Sequence, residues 1–127
     1  MHNLPFDRPG RFWRGNLHTH SDRSDGALSP GQIGRLYLEA GYDFVAITDH
    51  FRAKYGFPLT DTRALRTDTF TTLLGAELHA PRTGISTEWH IIAVGLPPVF
   101  LPPGPTETGP ELARRARAAG AFIGMAH

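Results

Sequence analysis

Two imidazoles spaced two apart open the chemistry of this chain: His18 and His20, in Asn16-Leu17-His18-Thr19-His20. On an extended strand such a pair shares one face, about 6 to 7 Å apart, and both rings can close on one cation. The alternative is two solvated or core-bonded histidines. Asp25, in Ser24-Asp25-Gly26, is either a carboxylate donor or a turn former. His50 ends Thr48-Asp49-His50 as a ligand or a capping histidine. Glu77 closes an otherwise apolar stretch, where a carboxylate is costly to bury unless it is paired or bound to a cation. His90 opens the apolar run 91–94, and His127 closes the run 122–126. The chain has no Cys, so any metal must be held by His, Asp and Glu. Each residue has a bland reading; together they are hard to explain without metal.

The elements that must position these groups follow from periodicity and punctuation. Residues 1–14 read as an irregular lead-in whose Phe6, Phe12 and Trp13 cap a core. Residues 17–20 read as a short strand, and 21–30, rich in Ser, Asp and Gly, as a turn. A helix starts after Ser29, which forms a capping box with Gln32; Pro30 suits the first helical position, and Gly41 supplies the stop. Its apolar face is Ile33, Leu36, Tyr37 and Ala40. Residues 43–47 have the nearly continuous apolar character of a parallel strand covered on both faces. Residues 51–70 form a long connection, read as a lid. Strands follow at 71–78 and 89–95. Six of the 11 prolines lie between Pro97 and Pro110, an extended and restrained connection. Thr108 and Glu111 then form a second capping box, with Leu112, Ala116 and Ala119 on the helix face and Gly120 as the stop. A buried strand at 121–126 ends the pattern. This is an α/β order, which predicts a mostly parallel sheet or barrel with strand ends sharing one rim.

Length and composition set the outer bounds. At 127 residues, with 40% hydrophobic and 20% charged residues and a net charge of +1, the chain suits one ordinary globular domain. No apolar stretch approaches the roughly 18 residues of a membrane helix, and the start lacks the apolar core of a secretory signal, so the expectation is a cytoplasmic protein. There is no basic stripe with interleaved aromatics, so long nucleic acid is not expected as a partner.

The set His18-x-His20, Ser24-Asp25-Gly26, Ala46-Ile47-Thr48-Asp49-His50, Gly75-Ala76-Glu77, His90-Ile91-Ile92-Ala93-Val94-Gly95 and Ala126-His127 resembles the PHP (polymerase and histidinol phosphatase) phosphoesterases in order and spacing over nearly the whole chain. The resemblance implies a distorted, TIM-like (β/α)7 barrel with two or three manganese, iron or zinc ions at its rim. It implies His18, His20 and Glu77 on one metal, Glu77 bridging to a second held by His90 and His127, and Asp25 with His50 on a third. The family also has an Asp-x-His pair from a late strand, which this chain lacks. The chain is therefore expected to be the first half to two thirds of such a barrel, a single domain truncated at its C-terminus.

A divalent cluster lowers the pKa of a bridging water and clamps phosphate oxygens, which predicts a metal-dependent phosphoesterase using activated water. His79, two after Glu77, is either the proton donor to the leaving group or a histidine supporting the ligands. Asp49 is expected to orient a ligand histidine. An Arg suits substrate phosphate; Arg52, Arg63, Arg66 and Arg82 lie on rim loops, and Arg52 is the preferred candidate because it follows His50 by two. Arg114, Arg115 and Arg117 read as a solvated face. The expected substrate is a small phosphate monoester, such as histidinol phosphate, or a nucleoside bisphosphate or short oligonucleotide end. The competing readings are an amidohydrolase, whose barrels also begin with His-x-His, and a catalytically silent metal-binding domain.

Overall fold

The computed structural model describes residues 9–81 and 88–127. In chain order the elements are β1 (Gly15–Asn16), α1 (Pro30–Glu39), β2 (Phe44–Ile47), β3 (His50–Phe51), two short 3-10 turns (Ala53–Tyr55 and Arg63–Leu65), β4 (Thr71–Ala80), β5 (Trp89–Val94), α2 (Gly109–Ala118) and β6 (Phe122–Met125). The strands lie in the order β1-β2-β4-β5-β6, with β3 also paired to β4. Among the described residues no helix is long and apolar enough to cross a membrane.

The central strand is β4. Its first half pairs in parallel with β2, Thr71 beside Phe44 through Leu74 beside Ile47, and its second half pairs in parallel with β3, Glu77 beside His50. On its other edge β4 runs antiparallel to β5, with His79 opposite His90, and β5 runs antiparallel to β6. The expected mostly parallel sheet is thus a mixed one. Only eight residues separate β4 from β5, too short a connection for the crossover that a parallel neighbour requires.

Alternation along β4 divides its second half between two jobs. Ala76, Leu78 and Ala80 face a core completed by Phe51, Ile91, Ala93, Leu96, Phe100, and by Leu112 and Ala116 of α2. Glu77 and His79 project from the opposite face. Both helices start with the expected capping boxes, Ser29 with Gln32 and Thr108 with Glu111. Gly41 follows α1 at φ 74°, a conformation that favours glycine.

Several expectations shift. The strand predicted at 17–20 lies two residues earlier, because the Asn16 side-chain oxygen accepts from the His18 N–H and the Thr48 hydroxyl from the Thr19 N–H, drawing the chain away from the sheet. On α1 only Ile33 of the predicted apolar face is buried; Leu36 is 52% exposed and Ala40 is exposed. Residues 51–70 do not stand off as a lid: Phe51, Thr62 and Phe70 are buried, Phe57 and Leu59 pack on the core, and Arg66 donates twice to the Thr72 carbonyl. Trp13 lies exposed beneath the Arg11 guanidinium instead of capping a core, and Phe12 is exposed; Phe6 lies outside the described residues. The strand predicted as buried at 121–126 is, among the described residues, an edge strand: it pairs with β5 on one side only, and Phe122 and Met125 are 65% and 62% exposed. Arg115 is not part of a solvated face. It pairs with Glu107, donates to the Leu101 carbonyl and stacks over Phe100, pinning the proline-rich connection to α2.

Candidate metal centre

The sheet register explains why groups far apart in sequence converge. Glu77 and His79 share one face of β4, His50 sits beside Glu77 on β3, and His90 sits opposite His79 on β5. The loop after β1 brings His18, His20 and Asp25 over the same place, at the carboxyl ends of β1 and β2. Three overlapping groups of donor atoms result, each with its atoms within 4.8 Å of one another: His18, His20 and Glu77; His20, Asp25 and His50; and His50, Glu77, His79 and His90. His127 approaches Glu77 Oε1 at 4.0 Å, and its ring lies 4.5 Å from that of His90, but it is 68% exposed and stands at the margin. The rings of His79 and His127 both lie 4.5 Å from that of His90, but where the resemblance implies His127 beside His90, the group of converging donor atoms contains His79.

Glu77 is the hub. It is fully buried; Oε1 accepts from His90 Nδ1 at 2.5 Å, while Oε2 lies 2.8 Å from His20 Nε2, 3.3 Å from His50 Nδ1 and 3.8 Å from His18 Nε2. His20 Nδ1 bonds to the Asp25 carboxylate at 2.7 Å, and a carboxylate only accepts, so Nδ1 carries the proton. That leaves the Nε2 lone pair facing a carboxylate oxygen. Both of these atoms are buried without a hydrogen-bond partner among the described residues. Two electron-rich atoms so placed repel unless a positive charge lies between them, and an imidazole nitrogen with a carboxylate oxygen is a fitting donor pair for zinc, manganese or iron.

Protonation leans the same way. Burial pushes the Glu77 carboxyl up, but the hydrogen bond from His90 and the neighbouring imidazoles outweigh it and hold the group below its ordinary value. The His20 hydrogen bond lowers Asp25. Desolvation lowers His18. Desolvation, then the adjacent Arg52 guanidinium, bring His79 down to about 3. Carboxylates kept ionised and imidazoles kept neutral are the forms that ligate cations.

Much of the support was not legible in the sequence. Asp49 orients no histidine; buried, it accepts from the Ser21 N–H, the Ser21 hydroxyl and the Ser24 hydroxyl at 2.7, 2.6 and 2.6 Å, which fixes the loop bearing Asp25. Gly26 is needed there because a Cβ would strike the His20 carbonyl. Thr48 Oγ1 lies 2.9 Å from His18 Nδ1, directing Nε2 towards Glu77, and Asn16 ties this segment to the Tyr37 hydroxyl on α1. Arg52 Nη2 contacts both His79 Nδ1, at 3.1 Å, and Glu88 Oε2, at 2.5 Å. Glu88 carried no signal, since it follows a Pro/Gly/Ser/Thr loop. Arg63 pairs with Asp61 and Arg66 with the Thr72 carbonyl, so neither is directed at the cluster; Arg82 lies outside the described residues. A concavity of about 940 Å³ lies at the opposite ends of β2 and β4, lined by Arg11, Trp13, Asp43 and Phe70. Its Arg11 is paired with Asp43, and it has none of the donor cluster.

No family model matches the chain. A stretch of 37 residues, 29% of the chain, is 46% identical to the DNA polymerase/3'-5' exonuclease PolX of Bacillus subtilis and covers 6% of that protein. Among solved structures the chain is similar to a two-domain protein of Bacteroides vulgatus containing a predicted PHP-like metal-dependent phosphoesterase. The TM-score is 0.61 and the identity 21%, over 87% of this chain and 34% of that one. The chain thus spans about a third of its structural relative and a small part of the curated one. What it shares with the solved structure is the fold: a mixed α/β sheet forming a half-barrel, consistent with part of a PHP-like barrel.

Proposed function

We propose that this chain carries the metal-binding rim of a PHP-type phosphoesterase that hydrolyses a small phosphate monoester or a nucleotide end. The observation that carries the proposal is the buried Glu77 carboxylate, encircled by His18, His20, His50 and His90, with Oε2 and His20 Nε2 facing each other and neither making a hydrogen bond among the described residues. The solved structure supports the reading by its fold and its name, and the curated relative by its name and a 37-residue match.

His18, His20 and Glu77 would hold one cation, Asp25 and His50 another, and Glu77 with His90, and His127 at the margin, a third; manganese, iron and zinc all suit these donors. Cations a few ångströms apart supply an acidified water and a clamp for phosphate oxygens. The protein's own groups do the rest. Asp25 keeps the His20 proton on Nδ1, and Thr48 directs His18. Arg52 uses only Nη2 internally; its Nε and Nη1 make no hydrogen bond among the described residues and are suited to a phosphate oxygen. His79 is buried, and both of its ring nitrogens are engaged, Nδ1 by Arg52 and Nε2 by His50 at 2.8 Å. It therefore supports His50, and the leaving group takes its proton from water.

Assay of the protein with manganese on a nitrophenyl phosphate and on a cyclic amide tests the proposal. Turnover of the phosphate ester that falls at least a hundredfold in His18→Ala is expected. Turnover of the amide instead assigns an amidohydrolase, and bound metal without turnover of any phosphoester assigns a silent metal-binding domain.

A further inference from the structure

The run of contacts Glu88–Arg52–His79–His50–Asp25 is the place where the hydrogen-bond directions and the proposed cation site make opposing demands. Arg52 has no acceptor, so in its 3.1 Å contact His79 Nδ1 must accept. A neutral His79 then carries its proton on Nε2 and donates it to His50 Nδ1 at 2.8 Å. His50, in turn, carries its proton on Nε2, 3.2 Å from Asp25 Oδ2. The hydrogen bonds of this run are all made in the direction from Arg52 to Asp25, which leaves the His50 Nδ1 lone pair 3.3 Å from Glu77 Oε2 as well.

A cation on His50 reverses that direction, whichever nitrogen it uses. On Nε2, it displaces the proton facing Asp25, and neutral His50 must carry its proton on Nδ1. His79 Nε2 then accepts, and the His79 proton moves to Nδ1. A cation held on Nδ1 would be faced by the His79 Nε2 lone pair and not by its proton, and the His79 proton again moves to Nδ1. In the first case the proton between the rings passes from His79 to His50, the His50 Nε2 proton leaves past half-exposed Asp25, and one proton arrives at His79 Nδ1. In the second the Nε2 proton of His79 leaves and one arrives at Nδ1. Both rings stay neutral throughout. The new Nδ1–H faces Arg52, which cannot accept it, and Glu88 Oε2, 4.0 Å away, which can.

We propose that Glu88 is a positioning residue for this site: it holds Arg52 against His79 while His50 is free, and becomes the acceptor for His79 Nδ1–H when His50 binds a cation, releasing Arg52 to the substrate phosphate. Cation loading and phosphate binding are thereby coupled. The inference rests on the metal-centre reading above and deepens it.

The test uses 15N-labelled protein and zinc alone, with long-range proton–nitrogen correlation reporting the histidine tautomers. His79 is expected as Nε2–H without zinc and as Nδ1–H with it. The coupling also predicts opposite signs for two variants: Glu88→Ala weakens zinc binding about tenfold, by removing the acceptor, and Arg52→Ala tightens it severalfold, by removing the opposing donor. Zinc binding with an unchanged His79 tautomer, or weakened binding in both variants, overturns the inference while leaving the metal centre standing. Failure of the wild-type protein to bind zinc overturns both.

Discussion

The loop of residues 18–26 and the edge strand β6 both lie at margins of one sheet, and they are held in opposite ways. The loop's groups nearest the cluster each have a partner, Ser21 and Ser24 on Asp49, His18 on Thr48 and His20 on Asp25, and Asn16 just before it is tied to Tyr37. On β6, Phe122 and Met125 are exposed, and one backbone edge has no partner strand among the described residues. Bonds that must be satisfied fix atoms to within a fraction of an ångström, whereas loosely placed apolar side chains fix little. Donor atoms for a cation require the first kind of margin. An unpaired apolar edge is the kind that takes up another strand or surface.

Removing the hub breaks this contrast most severely. Glu77→Ala is expected to weaken cation binding by more than about a hundredfold, beyond the loss typical of groups that merely support ligands; isothermal titration with zinc measures it. Asp49→Ala comes next. It leaves the Ser21 N–H buried without an acceptor and frees the loop, so about 3 kcal/mol of stability is lost in urea unfolding and cation binding drops about tenfold.

Acid acts on the rim as a whole. His18, Asp25, Glu77 and His79 are all lowered in the folded protein, so the unfolded chain binds more protons than the folded one at mildly acidic pH. Stability is therefore present in full above the ordinary histidine range and falls as pH drops below about 6.5, with the His79 share lost progressively towards about 3. Thermal unfolding of the metal-free protein across this range checks the direction, and His79→Gln should flatten the slope. At the other margin, Phe122→Ser is expected to change stability by no more than about 0.5 kcal/mol and to leave zinc affinity unaltered, while reducing self-association in sedimentation.

The two margins also differ in how far the sequence revealed them. Both capping boxes and most strand cores can be read from local spacing, because caps and alternation are local chemistry; the donor residues stand out by type and by their place at strand ends, and their convergence depends on the fold. Strand direction cannot be read this way, and with it went the pairing of His79 with His90, which depends on an antiparallel register. Glu88 gave no signal and Tyr37 read only as part of an apolar helix face, since their roles arise from contacts 36 and 21 residues away in sequence. Asp49 was legible as a supporting group but not as the anchor of Ser21 and Ser24. Exposure of β6 was hidden for a related reason: an apolar run reads the same on an edge as in the centre of a sheet.

The central claim is that Glu77 and the surrounding imidazoles share divalent cations. Anomalous scattering from a crystal soaked in manganese tests it most directly. The account predicts two or three peaks at the rim, one of them between His20 Nε2 and Glu77 Oε2 at about 2.0 to 2.2 Å from each. An empty position there, with the two side chains turned apart, would contradict it.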